Sequence, residues 1–138
     1  MKTNNELKMF IKKSELCNAV CLMNKDVNLV AIINKNGKIV ESKFGKDTDL
    51  LCLSDSQLEM IAMQRSLQTS MIKEFDDDLS SFYQTITIRK SHVEFVCNLD
   101  EGILLIISHS NVDMKQFSIN LHSLVSSFHS SASNVMVS

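Results

Sequence analysis

Hydrophobic positions along this chain follow two periods, and the switches between them mark out eight elements. From about Asn4 to Leu22, Leu7, Phe10, Ile11, Cys17, Val20 and Cys21 recur at helical spacing, with Lys8, Lys12, Lys13 and Glu15 on the remaining face. Thr3 and Glu6 make a capping box at its start. VNLVAIIN (27–34) is apolar on both alternating sets, Leu29, Ala31 and Ile33 against Val30 and Ile32, as a strand covered on both faces is. Asn36-Gly37 is a hairpin signal, and the strand after it, Lys38 to Phe44, carries Lys38, Glu41 and Lys43, the charges of a guarded edge. Three strands are expected after residue 80. Phe82 to Lys90 sets Ile86 and Ile88 on one face and Thr85 and Thr87 on the other; His92 to Asn98 turns Val93, Phe95 and Cys97 inward; ILLIIS (103–108) is again apolar on both faces. A last helix from Val112 to about Phe128, capped by Asn111 or Asp113, carries the stripe Phe117, Leu121, Leu124, Phe128.

The central stretch, Leu53 to Leu79, reads as one long helix. Ser54 and Gln57 form a capping box, and Leu53 and Leu58 stand at the positions of a hydrophobic staple. Asp76, Asp77 and Asp78 would repel the C-terminal carbonyls, so regular helix is expected to end near Phe75. Its apolar residues form two stripes: Ile61, Ile72 and Phe75 with Leu58 at one edge, and Met60, Met63, Leu67 and Met71. One sheet needs an apolar arc of about 100°, and this helix offers nearly twice that. Such a helix is either deeply buried or, the reading preferred here, packs one stripe on the sheet and the second on a partner, a use to which the flexible thioether of methionine is suited.

Two doubly apolar strands belong side by side at the middle of a sheet. Connecting the hairpins to them predicts an α+β fold with a five-stranded antiparallel sheet in the order 2-1-5-4-3. The long helix covers one face and the terminal helices the other. Residues 1–130 are expected to form a single domain, and 131–138 a frayed, serine-rich tail.

Composition narrows the function classes. A net charge of −2 supplies no basic field for nucleic acid or anionic membrane. No apolar run approaches a membrane span, and the polar, then amphipathic N-terminus lacks a signal-peptide core, so a cytoplasmic protein is expected. Cys17 and Cys21 share a helical face but lack a second ligand pair, and Cys97 alternates with buried positions. The thiols are read as packing groups, with no metal site. The acidic run 76–78 lacks EF-hand spacing, and His122 and His129 read as surface or satisfied histidines. GxSxG, P-loop, GxGxxG and HExxH motifs are absent, so neither an enzyme nor a bound cofactor is expected.

The element order resembles that of the roadblock/longin group and its profilin-like relatives. EMIAMQRSLQTSMIKEFDDDL, followed by YQTITIRK and an apolar meander, is also similar to small uncharacterised archaeal proteins of that type. The resemblance implies a non-catalytic module that dimerises through the long helix and the third strand and scaffolds or regulates small Ras-like GTPases. The residues point to the same surface. The edge from Tyr83 to Ile88 carries no charge, and an uncharged edge is an aggregation hazard unless a partner strand fills it. The expected homodimer interface is Met60, Met63, Leu67 and Met71 beside Tyr83, Thr85 and Thr87. A different class remains open, a PAS- or GAF-like small-molecule sensor, which would need a roomy apolar pocket with polar anchors.

Overall fold

The computed structural model describes residues 4–46 and 52–137, without the side chains of 5–11 and 130–137. Thr3 of the expected capping box lies outside the described residues, as do the side chains of Glu6, Leu7, Phe10 and Ile11. The elements are α1 (Asn4–Met23), β1 (Val27–Asn34), β2 (Ile39–Phe44), α2 (Asp55–Lys73), α3 (Asp76–Leu79), β3 (Gln84–Ile88), β4 (His92–Leu99), β5 (Gly102–His109) and α4 (Met114–Val137).

The five strands pair antiparallel in the order β2-β1-β5-β4-β3, so β1 and β5 lie together at the centre as their two apolar faces require. The Asn36-Gly37 turn closes β1 on β2. Gly37 takes a φ of +78°, and the Asn34 side chain accepts from the amides of Asn36 and Lys38. At the β4–β5 turn Gly102 adopts a φ of +153°, and a Cβ there would overlap the carbonyl oxygen of Ile33. Only glycine permits that approach.

Each sheet face builds its own core. On one side Val30, Ile32, Val93, Phe95, Cys97, Leu104 and Ile106 pack against Leu16, Cys17 and Val20 of α1 and Phe117, Leu121 and Val125 of α4. On the other, Leu29, Ile33, Val96, Ile103, Leu105 and Ile107 meet α2 through Ala62, Leu58 and Ile61. The long helix starts as its sequence dictates: the Ser54 side chain accepts from the Gln57 amide while the Gln57 side chain accepts from the Ser54 amide. Asp113 caps α4 by accepting from the Gln116 amide.

Several expectations are corrected. Helix α2 ends at Lys73 with Glu74 as its C-cap, close to the expected end near Phe75, but the acidic residues turn into the separate short helix α3. Strand β3 is shorter than 82–90, and α4 runs past Phe128 through Val137. The sheet-facing side of α2 is also rotated from the expected one. It buries Ala62, Arg65 and Thr69, while Ile72 and Phe75 stay exposed. At 3.6 residues per turn the buried arc of Ala62, Arg65 and Thr69 centres roughly 80° away from the Ile61–Ile72–Phe75 line. The small side chains of Ala62 and Thr69 allow the helix to lie close on the sheet.

Candidate functional site: an open strand edge and the outer face of the long helix

Among the described residues strand β3 pairs with β4 alone, so its other side is an open edge. Which of its backbone groups face outward follows from the two ends of the ladder. The Asn98 amide donates to Tyr83 O at 2.9 Å, and the Arg89 amide donates to His92 O at 2.8 Å. Odd-numbered residues of β3 therefore bond to β4, and Gln84, Ile86 and Ile88 turn their N–H and C=O groups to the free side. The side chains alternate with the register. Gln84, Ile86 and Ile88 stand on the α1/α4 face opposite Cys97, Phe95 and Val93, and Thr85 and Thr87 on the α2 face opposite Val96 and Glu94.

The residues expected at this edge behave differently from one another. Thr87 is exposed and Thr85 half-buried. Tyr83 is exposed but folds round the edge to the α4 side, where its ring lies 4.3 Å from that of His122. Also exposed at this edge are Ile86, 40%, and Ile88, 67%, which the sequence reading did not name for the expected interface. Their signal was present: both alternate with threonine on an edge strand, where an inward face needs a covering helix. Helix α4 reaches only the start of β3, at Gln84, which exchanges hydrogen bonds with Ser118.

The stripe on α2 is open to solvent along its whole length: Met60, Met63, Leu67 and Met71 are each 48–64% exposed. It does not run alongside β3 as expected. Met63 lies over the β1–β2 turn, its Cα 3.3 Å from where a Gly37 Cβ would be, whereas Lys73 donates to Asn98 at the far end of β4. The helix thus crosses the sheet, and Leu67 and Met71 lie nearer the open edge than Met60 and Met63. Exposed Ile72 and Phe75 extend the apolar surface at that end.

Beneath the middle of the helix sits a charge cluster that hydropathy did not reveal. Glu94 points from β4 to the α2 face with a side chain only 4% exposed, between Arg65 of α2 (10%) at 2.9 Å and Arg89 (60%) at 3.0 Å. Arg65 donates through Nε and Nη2 in a fork to both carboxylate oxygens, and its Nη1 reaches Gln68. Bidentate geometry of this kind fixes direction as well as distance. It ties the middle of α2 to β4 and, through Arg89, to the hairpin that ends β3.

Asp76 has a defined place too. Its Oδ1 accepts from the Phe82 amide at 3.0 Å, across Ser80, whose φ of 74° is unusual for a residue with a side chain. The rest of the chemistry is quiet. Burial pushes the thiols of Cys17 and Cys97 up to about 12 and raises that of Cys21, opposite to what a reactive thiolate needs. Among the described residues no group of three His, Cys, Asp or Glu side chains could hold a metal ion, and no helix is long and apolar enough to cross a membrane. A groove of about 600 Å³ runs between α2 and the β1–β2 hairpin, lined by Ile39, Phe44, Leu58, Met60 and Met63.

No model of a known protein family matches the chain, and no curated protein matches it. Solved structures do. MglB of Myxococcus xanthus superposes with a TM-score of 0.73 at 10% identity, over 98% of this chain and 95% of that one. A Roadblock/LC7 domain from Streptomyces avermitilis gives 0.65 at 11% identity, over 91% of this chain and 98% of that one. The gliding protein MglB of Thermus thermophilus gives 0.66 at 10% identity, over 95% of each. At such low identity the likeness is one of architecture, and it is complete from the first helix to the last: this chain has the roadblock/LC7 fold.

Proposed function

We propose that this protein is a non-catalytic interaction module that works as a homodimer and scaffolds or regulates another protein, in the finer form a small Ras-like GTPase. The observation that carries the reading is the open β3 edge. It offers an N–H and a C=O from each of Gln84, Ile86 and Ile88, with no charged side chain among them. An edge of that kind attracts a strand, and a second copy supplies an identical one about a two-fold axis.

Centring the antiparallel pairing on Ile86 uses all the outward groups at once, in about six hydrogen bonds. Ile86 then meets its own copy, and each Ile88 covers a Gln84. The two sheets continue as one, bringing the Leu67–Met71 ends of the long helices toward each other. Side chains of this size contribute roughly 1–2 kcal/mol each when covered. Strand pairing and side-chain burial together support a stable dimer, and neither does so alone.

Glutamate at both Met63 and Leu67 tests the helix surface, with Leu67 carrying the larger share. The double variant is expected to be a folded monomer at low micromolar concentration by sedimentation velocity, and an unchanged dimer would remove the stripe from the interface. The GTPase part has its own test, by calorimetric titration with small Ras-like GTPases of the source organism, each loaded with GDP or a non-hydrolysable GTP analogue. Binding that depends on the nucleotide supports it. Absence of binding across the set would reduce the function to self-association and scaffolding.

A further inference from the structure

We infer that the register of the dimer is set by ion pairs between the two copies, Lys90 of each against Asp76 of the other; this rests on the homodimer reading above. The Asp76 carboxylate accepts from the Phe82 amide, and Phe82, two residues before Gln84, has the same outward sense as Gln84, Ile86 and Ile88. Asp76 therefore occupies the hydrogen-bonding position at the start of the free edge, and the intermolecular ladder ends there. A strand that slipped by two residues toward this end would have to displace a carboxylate from its amide.

At the other end of β3 the chain turns sharply. The Arg89 amide donates to His92 O, leaving Lys90 and Ser91 as the exposed tip of the hairpin. In the Ile86-centred pairing Gln84 faces Ile88 of the second copy, and one step beyond, Phe82 faces Lys90. The Lys90 ammonium thus arrives at the carboxylate that closes the edge. The surroundings reinforce the sign on both sides. Asp77 and Asp78 follow Asp76 in α3, and Arg89 adjoins Lys90, where Arg65 and Arg89 together exceed the single charge of Glu94. Two-fold symmetry makes the contact twice.

Like charges brought together are worth avoiding as much as opposite charges are worth pairing, so such contacts select one register over its neighbours. The energy resides at a solvated rim, where screening by salt is strong.

Sedimentation equilibrium on the full chain tests this with Lys90→Asp, Asp76→Lys and the two combined. Lys90→Asp leaves the Phe82 cap in place and is the cleaner single change, and Asp76→Asn removes charge while keeping an acceptor. Either reversal is expected to weaken the dimer about tenfold at low salt, and the combined exchange to restore it to within about threefold. The wild-type advantage is expected to shrink at roughly 0.5 M salt. A mixture of the two single variants should form heterodimers in preference to either homodimer. A dimer whose strength ignores both reversals would overturn the ion pairs and leave the homodimer standing. A wild type that is monomeric throughout would overturn both.

Discussion

Removing the Glu94 carboxylate separates the two arginines that share it, because they differ in what surrounds them. Glu94→Ala leaves the Arg65 guanidinium between α2 and β4 with a side chain 10% exposed and Gln68 as its remaining acceptor. Breaking a buried pair from one side costs about 3–5 kcal/mol, chiefly the penalty of an uncompensated buried charge. Arg89 is 60% exposed and can turn to water, so Arg89→Ala is expected to cost less than about 1 kcal/mol. Arg65→Ala falls between, since Glu94 keeps Arg89. Replacing both buried partners together, Arg65→Met with Glu94→Leu, removes the charges and their desolvation at once and is expected to recover most of the loss. Urea unfolding followed by circular dichroism measures all four. With roughly 3–5 °C lost per kcal/mol in a domain of this size, Glu94→Ala should also melt some 10–20 °C lower. If Arg89→Ala cost as much as Glu94→Ala, or if the double replacement were as damaging as the single one, the cluster would not work through a buried charge.

Other consequences follow from the backbone and the thiols. Gly102→Ala forces a side chain against the Ile33 carbonyl at a φ of +153° and is expected to lose about 2–4 kcal/mol in the same unfolding assay. Cys17 and Cys97 ionise near 9.0 in the unfolded chain but near 12 in the fold. Their contribution to stability is thus full below pH 9 and falls as pH rises toward 12; melting temperatures across that window, compared with a Cys17→Ala, Cys97→Ala variant, should show the extra slope in the wild type. Replacing Cys17 and Cys21 with alanine should lower the melting point through lost packing and release no metal, and stoichiometric zinc lost in that variant would refute the packing role.

The sheet was legible because its information lies in local pattern. Two strands apolar on both faces belong at the centre, and Asn36-Gly37 and Gly102 mark the hairpins that order the rest. The cap of α2 was legible for the same reason, as Ser54 and Gln57 are three residues apart. The orientation of α2 was not. Apolar character placed Ile72 and Phe75 inward, yet the contact surface was chosen by the small residues Ala62 and Thr69 and by Arg65 meeting a carboxylate twenty-nine positions away. A buried pair looks in sequence like two solvated charges, and Glu94 between Val93 and Phe95 reads as an outward strand position. At the edge, Tyr83, Thr85 and Thr87 were named because the stretch carries no charge. The outward backbone groups belong instead to Ile86 and its even-numbered neighbours, a parity that depends on how β3 registers against β4.

That parity gives the sharpest test of edge pairing. Proline at Ile86 removes an amide that faces outward and leaves the β3–β4 ladder its bonds, whereas proline at Thr87 removes one that holds β3 to β4. Sedimentation velocity of wild type, Ile86→Pro and Thr87→Pro, with a thermal melt of each, separates the two effects. The account predicts a wild type at twice the 15.6 kDa chain mass, Ile86→Pro as a monomer melting close to a wild type diluted below its dissociation constant, and Thr87→Pro destabilised in its fold. An Ile86→Pro variant that sediments as the same dimer as wild type would contradict it.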